Sequence, residues 1–265
     1  MTCLRWALSV FLLGLSQDVR AAMVTPLTGV HAHNDYEHHR PLLDALDNGF
    51  CSVEADVHLV KGELRVAHIR LLAREGRTLQ SLYLDPLRER VKQNGGRVYP
   101  GGPEFVLLVE LKDDWRISYA ALRRVLEAYS DILTTYRSGI KQTNAVRVVI
   151  TGHRAKDMFT GETVRYASLD GSLADLNGTE SADLIPWIST DWRGSFKWRG
   201  SGVLPEAEVA KLKNILSLAH QQGRRVRFWG SPDKLAFWRE LVAQGVDLIN
   251  TDDLEGARKF FLEGK

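Results

Sequence analysis

The chain has 265 residues, of which 44% are hydrophobic and 26% are charged, and its formal net charge at pH 7 is +2. This composition excludes disordered, collagen-like and coiled-coil proteins. The charge is close to zero and no basic stripe is interleaved with aromatic residues, so we expect no nucleic-acid partner. The sequence predicts no protein partner either.

The first 21 residues have the pattern of a signal peptide. Arg5 precedes an apolar run from Trp6 to Leu15, and Val19-Arg20-Ala21 then places small residues as a cleavage site requires. A transmembrane anchor and a buried first helix are the alternatives, but the run is shorter than the roughly 20 residues of a membrane-spanning helix. We therefore expect cleavage near Ala21, export to the periplasm or the exterior, and no transmembrane span in the mature protein.

Eight apolar, β-branched runs predict strands along the rest of the chain. In order, they are LTGVHAH, CSVEADVHLV, EFVLLVEL, VRVVIT, TVRYASL, LIPWIST, RVRFWG and VDLINTD. The segment LVKGELRVAH predicts a hairpin that turns at Lys61-Gly62. Cys51, the lone cysteine left after cleavage, lies at the entry to the second strand and is predicted to be a core residue.

Five segments between or after these strands have helical spacing. They are PLLDALDNG, ISYAALRRVLEAYSDILTTY, PEAEVAKLKNILSLAHQQG, DKLAFWRELVAQG and LEGARKFFLEG. Strands that alternate with helices pair in parallel through crossovers. A single α/β domain over residues 22–265 is predicted, with the (β/α)8 TIM-type barrel fold, because its length of about 240 residues is typical of that barrel. A doubly wound open sheet is the alternative, but no glycine-rich phosphate loop follows the first strand.

Two predicted strands carry imidazoles and carboxylates. Side chains at i and i+2 share one face of a strand, so His31 and His33 point the same way, as do Glu54 and Asp56. Both pairs lie near strand ends, and the C-terminal strand ends of a barrel form its active site. Two adjacent carboxylates repel each other unless a cation lies between them, and oxygen ligands suit one Mg²⁺ or Ca²⁺.

Two more strand ends add candidate residues. Glu110 interrupts the apolar strand LLVELK and is followed at i+2 by Lys112, and His68 ends the hairpin strand. An ion pair or a structural hydrogen bond would explain any one of these residues alone. Together they favour a functional site, which comprises His31, Glu54, Asp56, His68 and Glu110.

The order of these motifs resembles that of the glycerophosphodiester phosphodiesterase superfamily, whose members are PLC-like phosphodiesterases with a TIM barrel. Three longer strings resemble the branch related to the fungal protein named for altered inheritance of mitochondria. They are HAHNDYEHHRPLLDALDNGFCSVEADVHLV, GRTLQSLYLDPL and FWGSPDKLAFWRELVAQGVDLINTDDL. The resemblance runs from about Val30 to the C-terminus, and it implies the hydrolysis of a small-molecule or lipid phosphodiester.

The resemblance also implies roles for individual residues. His31 and His68 would form the acid–base pair. Three carboxylates would bind the divalent cation: Glu54, Asp56 and Glu110. Four residues would contact the substrate: Lys112, Trp229, His33 and Asn34.

The chain departs from the superfamily pattern at three places. Ala32 and His33 follow the first histidine, where the superfamily has Arg and Gly, and Ile69 follows the second histidine, where it has Asp. The string YEHHRP replaces a proline-glutamate-asparagine-threonine motif. These departures concern the glycerol head group and the phosphate clamp and leave the acid–base and metal residues in place.

Two other functions fit parts of the sequence. The HAH string also resembles the His-x-His of amidohydrolase-type and PHP-type barrels, where Zn²⁺ is the natural metal. The later strand ends offer carboxylates, however, and His153 is the only late histidine that lies near one of them. The second alternative is a non-catalytic exported protein that binds sugars or lipid head groups through tryptophans, namely Trp187, Trp192, Trp198 and Trp229.

Overall fold

Eight parallel strands form a closed barrel in the computed structural model of the protein, which describes residues 24–264. The strands of the chain are β1 (Val30–Ala32), β2 (Ser52–Val60), β3 (Glu63–Val66), β4 (Phe105–Leu111), β5 (Thr135–Arg137), β6 (Ile140–Gln142), β7 (Val146–Gly152), β8 (Val164–Arg165), β9 (Ala167–Gly171), β10 (Trp187–Asp191), β11 (Arg225–Trp229) and β12 (Leu248–Thr251). The barrel runs in the order β1, β2, β4, β7, β9, β10, β11 and β12, and β1 pairs with both β12 and β2, which closes it. The predicted barrel is confirmed, whereas the predicted signal peptide lies outside the described residues.

Helices follow most of the barrel strands. They are α1 (Leu43–Asp47), α2 (Asp85–Gln93), α3 (Trp115–Glu127), α4 (Trp192–Ser195), α5 (Glu206–Gln221), α6 (Leu235–Gln244) and α7 (Leu254–Glu263). Short 3-10 helices cover Asp35–Glu37, Arg70–Leu72, Lys156–Phe159 and Leu173–Asn177, and a π-helical turn covers Gln80–Leu84. Within residues 24–264, none of the helices has the length and hydropathy of a bilayer-spanning segment.

One predicted helix is too long. The helix that the sequence predicts up to Tyr136 ends at Glu127, and Thr135 and Tyr136 belong to strand β5 instead. β5 pairs antiparallel with β6 and β8 in a small sheet, and β-branched and aromatic residues favour strands. The small sheet lies at the N-terminal end of the barrel, since the segment before β5 bonds to Val146, the first residue of β7.

The hairpin after β2 confirms the predicted turn. β2 and β3 pair antiparallel, and Lys61 and Gly62 between them have φ values of +51° and +86°. Two consecutive left-handed residues form the tight turn that matches the twist of a hairpin. This hairpin carries the chain back along β2, so that Ala67 N–H donates a hydrogen bond to Asp56 O at 3.1 Å.

The inner face of the barrel changes from apolar to polar along the strands. A buried apolar layer fills its lower part, with Val106, Leu108, Val149, Trp187 and Leu248. Glu110 lies two residues after Leu108 on β4, and Asn250 lies two residues after Leu248 on β12. Because residues at i and i+2 share a strand face, polar side chains follow the apolar layer toward the C-terminal mouth.

Candidate active site

Three carboxylates meet at the C-terminal mouth of the barrel. Glu54 and Asp56 project from β2, and Glu110 projects from the neighbouring β4, where it pairs in register with Asp56. One oxygen from each carboxylate lies within 4.8 Å of the other two. Gly152 makes room for this group, because it ends β7 with φ of +73° and a Cβ atom there would lie 2.6 Å from Glu110 Cγ. The fold therefore brings together the three residues predicted as metal ligands.

The chemistry of this carboxylate cluster (Glu54, Asp56 and Glu110) fits a divalent cation. Asp56 is fully buried, and its Oδ1 has no hydrogen-bond partner within residues 24–264. Burial and the charge of Asp56 raise the pKa of Glu110, as expected where carboxylates crowd together. The cluster contains no imidazole, and oxygen ligands of this kind suit a hard cation such as Mg²⁺ or Ca²⁺.

Lys112 lies against the same cluster. Its Nζ is 3.1 Å from Asp56 Oδ2 and 3.1 Å from Glu110 Oε1. Burial alone would lower the pKa of Lys112, but the charges of these two carboxylates outweigh burial and raise it. The side chain is 20% exposed, so a charged ammonium group is accessible beside the carboxylates.

His31 is fully buried on β1 next to the cluster. Its Nδ1 lies 2.6 Å from Ser52 Oγ, and its Nε2 lies 3.5 Å from Glu54 Oε2. That Nε2 is buried and has no hydrogen-bond partner in the described part of the chain. Burial and the charge of Arg227 lower the pKa of His31 to about 4. His31 is therefore neutral at pH 7, and its free ring nitrogen faces a carboxylate of the cluster.

His68 follows β3 and lies on the exposed side of Asp56. Its side chain is 54% exposed, and its Nδ1 lies 3.1 Å from Asp56 Oδ2 and 3.1 Å from the Tyr36 hydroxyl. The Tyr36 hydroxyl also lies 2.8 Å from Asp56 Oδ2 and 2.7 Å from Asn34 Oδ1. Both contacts of His68 use Nδ1, which leaves Nε2 available to a substrate. Asp56 thus links the predicted second histidine to the predicted metal ligands.

The other predicted substrate contacts lie at the same end of the barrel. His33 Nδ1 lies 2.9 Å from Asp252 Oδ1; burial opposes a charge on His33, but this hydrogen bond and the nearby carboxylates raise its pKa. Trp229 ends β11 and is 44% exposed. The other tryptophans considered as a binding surface are buried, namely Trp187, Trp192 and Trp198.

A buried arginine lies under the cluster and is missing from the sequence prediction. Arg227, on β11, is 2% exposed. Its Nη1 lies 3.4 Å from Glu54 Oε2, and its Nη2 lies 3.3 Å from Asp170 Oδ2. Arg227 also donates hydrogen bonds to Asn250 Oδ1 at 3.0 Å and to Ser189 Oγ at 3.1 Å.

The pairing with Arg227 keeps Glu54 ionised. Burial alone would raise the pKa of Glu54, but the contact with His31 Nε2 at 3.5 Å and the charge of Arg227 outweigh burial and lower the pKa to about 2. One sequence signal could have identified Arg227, because it lies two residues before Trp229 and therefore shares the same strand face. Tyr36 had no such signal, because its contacts join segments that are far apart in sequence.

Two stretches of the chain match known protein families. Residues 18–99 match the AIM6-like phosphodiesterase domain, and this stretch includes His31, Glu54, Asp56 and His68. Residues 225–255 match the glycerophosphoryl diester phosphodiesterase family, and this stretch includes Trp229.

Similar proteins cover most of the chain. Altered inheritance of mitochondria protein 6 from Eremothecium gossypii is 30% identical over 89% of this chain and 70% of its own length. A homolog of that protein from Arthroderma benhamiae is 28% identical over 88% of this chain and 83% of its own length. Among solved structures, a glycerophosphodiester phosphodiesterase from Agrobacterium tumefaciens has the same fold, with a TM-score of 0.51, 18% identity, and coverage of 88% of this chain and 99% of that chain. The chain therefore belongs to the family of altered inheritance of mitochondria protein 6, within the superfamily of glycerophosphodiester phosphodiesterase-like barrels.

Proposed function

We propose that this protein is a metal-dependent phosphoric diester hydrolase that acts on a glycerophosphodiester-like or phospholipid-like substrate. The main support for the proposal is that the carboxylate cluster lies between two histidines, His31 and His68. The Nδ1 atom of His31 contacts Ser52, and the Nδ1 atom of His68 contacts Asp56. The match to a phosphodiesterase domain over residues 18–99 supports the same reaction class.

The positive charges of the site suit an anionic substrate. A phosphodiester carries a negative charge that repels nucleophiles. A divalent cation held by Glu54, Asp56 and Glu110 would neutralise charge on a non-bridging phosphate oxygen. The ammonium group of Lys112, which lies beside two of those carboxylates, would contact the phosphate from the protein side.

The two histidines supply the proton transfers. One imidazole takes a proton from the attacking oxygen, and the other gives a proton to the leaving oxygen. In each ring Nδ1 is held, by Ser52 for His31 and by Asp56 for His68, so that Nε2 is the nitrogen that exchanges the proton. The attacking oxygen belongs either to water or to a hydroxyl group of the substrate itself. His33, Asn34 and Trp229 border the mouth, where they would contact the rest of the substrate.

Turnover of a panel of phosphodiesters, with and without a chelator, tests this proposal. We expect the chelator to abolish turnover and Mg²⁺ or Ca²⁺ to restore it. Asp56→Asn should weaken metal binding and abolish turnover while the circular dichroism spectrum stays unchanged. The control is Glu240→Gln, which changes a carboxylate on α6 outside the site and should leave turnover unchanged. Full turnover in the presence of the chelator, or in Asp56→Asn, would contradict the proposal.

The same experiment separates the two alternative functions. Zn²⁺ retained through His31 and His33 would favour the amidohydrolase-like alternative, although the Nδ1 atoms of these residues bond to Ser52 and Asp252. Binding of sugars or lipid head groups without turnover of any diester would favour the binding protein. Three of the four tryptophans considered for such a protein are buried, which supports the hydrolase instead.

A further inference from the structure

The loop that follows His68 exposes three aliphatic side chains. Ile69 is 50% exposed, Leu71 is 90% exposed and Leu72 is 50% exposed. They lie in or next to the short 3-10 helix Arg70–Leu72. Exposed apolar residues that stand alone are common on protein surfaces, but three within four residues next to a candidate catalytic histidine mark a contact surface.

This loop, Ile69–Arg77, is firmly attached to the barrel. Arg70 donates hydrogen bonds to Asp113 Oδ2 at 2.9 Å and to Leu59 O at 3.1 Å. At the other end Arg77 donates to Tyr36 O at 3.1 Å, and its own carbonyl accepts from Val66 N at 2.8 Å. These hydrogen bonds hold both ends of the loop. Its first four residues, Ile69–Leu72 (the apolar tip), are therefore presented to solvent in an ordered conformation.

The loop is also basic and borders the site. It contains three arginines and one glutamate. Arg74 is exposed, and its side chain makes no hydrogen bond or ion pair within residues 24–264, although its carbonyl accepts a hydrogen bond from Arg77 N–H at 3.4 Å. A cavity of about 260 Å³ lies between the loop and His68, lined in part by Tyr36, Leu72, Arg74 and Arg77. The lining thus combines two arginines and the exposed His68 with a single carboxylate, that of Glu37, which favours an anion in this cavity.

We propose that the Ile69–Arg77 loop docks the protein on an anionic phospholipid surface, so that His68 faces diesters carried by that surface. The aliphatic tip would enter the acyl boundary, while Arg74 would pair with lipid phosphates. A protein partner on the same tip would cover the cavity and His68, whereas a lipid surface supplies a diester to them. The choice of a lipid-borne substrate rests on the proposed function, but the docking itself does not.

Co-sedimentation of the full chain with vesicles tests the docking without turnover. The vesicles are pure phosphatidylcholine or phosphatidylcholine mixed with phosphatidylglycerol. We expect binding to the anionic vesicles, and a loss of roughly a hundredfold in the partition coefficient for the double variant Ile69→Ser/Leu71→Ser, because each inserted aliphatic side chain contributes roughly tenfold. Arg74→Gln should reduce binding to the anionic vesicles by roughly fivefold and leave binding to the neutral ones unchanged.

Two matched variants serve as controls. Ile140→Ser removes an aliphatic side chain that is 69% exposed, at the opposite end of the barrel, and Lys213→Gln removes an exposed charge on α5. Both should bind vesicles like the wild type. Vesicle binding that is equal in the wild type and the double variant would overturn the docking, as would a wild type that does not bind at all. A change in oligomeric state of the double variant without a change in vesicle binding would also overturn it, in favour of a protein partner.

Turnover separates this inference from the proposed function. The double variant should hydrolyse a soluble diester at the wild-type rate and a vesicle-borne diester more slowly. Vesicle binding that depends on Ile69 and Leu71, with no turnover of any diester, would support the docking and reject the hydrolase. Turnover of soluble diesters by a wild type that never binds vesicles would reject the docking and support the hydrolase.

Discussion

Lys112 Nζ lies 3.1 Å from Asp56 Oδ2, and Asp56 is fully buried. The cluster that we propose as a metal site therefore already contains a positive charge of the protein itself. Lys112 and a divalent cation are attracted to the same carboxylates and repel each other, whereas both attract a phosphate oxygen. We therefore expect metal binding and phosphate binding to depend on Lys112 in opposite ways.

The variant Lys112→Met tests this opposition. We expect the dissociation constant for Mg²⁺ or Ca²⁺ to fall by roughly tenfold, because a repelling charge is removed, and turnover to fall, because a phosphate contact is lost. Isothermal titration calorimetry measures the first effect, and the rate at saturating metal measures the second. Lys213→Met, on α5, should change neither. Weaker metal binding in Lys112→Met would show that Lys112 supports the metal site instead.

Arg227 carries the second prediction, which concerns stability. The variant Arg227→Met leaves Glu54 and Asp170 buried without their partner, and breaking a buried ion pair in this way costs about 3–5 kcal/mol of the free energy of unfolding. Denaturation by guanidinium chloride at neutral pH measures the loss. The control is Arg225→Met on the same strand, because Arg225 bonds to the backbone carbonyls of Thr28 and Asp247. It should cost about 1–2 kcal/mol, and an equal loss in both variants would contradict the role given to Arg227.

The polar residues on barrel strands were predictable from the sequence because strand geometry is simple. Glu54, Asp56 and Glu110 each follow apolar residues on a strand, and parallel strand ends meet at one mouth. The contacts of Tyr36 were not predictable, because they join three segments that come together only in the folded chain. β5 and β6, of three residues each, were also missed, since so short a run carries no clear periodicity.

We expect Asp35 to make the stability of the protein depend on pH. Burial raises the pKa of Asp35 to about 7, against the opposing hydrogen bonds from Leu42 N–H and the Tyr83 hydroxyl. Its other oxygen, Oδ1, is buried without a partner in the described residues. The unfolded carboxyl has its ordinary pKa of 3.8, so between these two values the folded state binds one more proton than the unfolded state.

The free energy of unfolding should therefore fall with rising pH in this window. The contribution of Asp35 is fully present below pH 3.8 and is lost as the pH rises through about 7. Relative to the isosteric variant Asp35→Asn, the wild type should lose about 1.4 kcal/mol per pH unit between pH 5 and 6, and less per unit as the pH approaches 7. Urea denaturation at several pH values measures the difference, in which other titrating groups cancel. Parallel curves for the two proteins across the window would contradict the raised pKa.

Export is a prediction from residues that lie outside the described part of the chain. We propose that the pattern of Arg5, the apolar run and Val19-Arg20-Ala21 directs export and cleavage. N-terminal sequencing of protein from an extracytoplasmic fraction should begin at or near Ala22. The variant Ala21→Arg should block cleavage and leave a longer product. Intact Met1 on protein recovered from the cytosol would contradict this prediction.

The two histidines carry the last prediction, which concerns mechanism. Replacement of His31 or His68 by alanine should each lower the turnover rate by roughly 10²–10⁴-fold, because each removes one proton transfer. In the double variant the losses should not add, since both residues serve one transition state. His220→Ala is the control, because His220 pairs with Asp247 at the end of α5 and should not affect turnover.

A diester with an activated leaving group separates the two roles. Such a substrate departs with little protonation, so it should restore most of the rate to the variant that lacks the acid and none to the variant that lacks the base. The rescue must therefore single out one of the two histidines. His31 is fully buried with Nε2 3.5 Å from Glu54, whereas His68 is half exposed on Asp56, so the two rings meet the substrate from different surroundings. Equal rescue of both variants, or of neither, would reject separate acid and base roles, and wild-type turnover in either variant would remove that histidine from the mechanism.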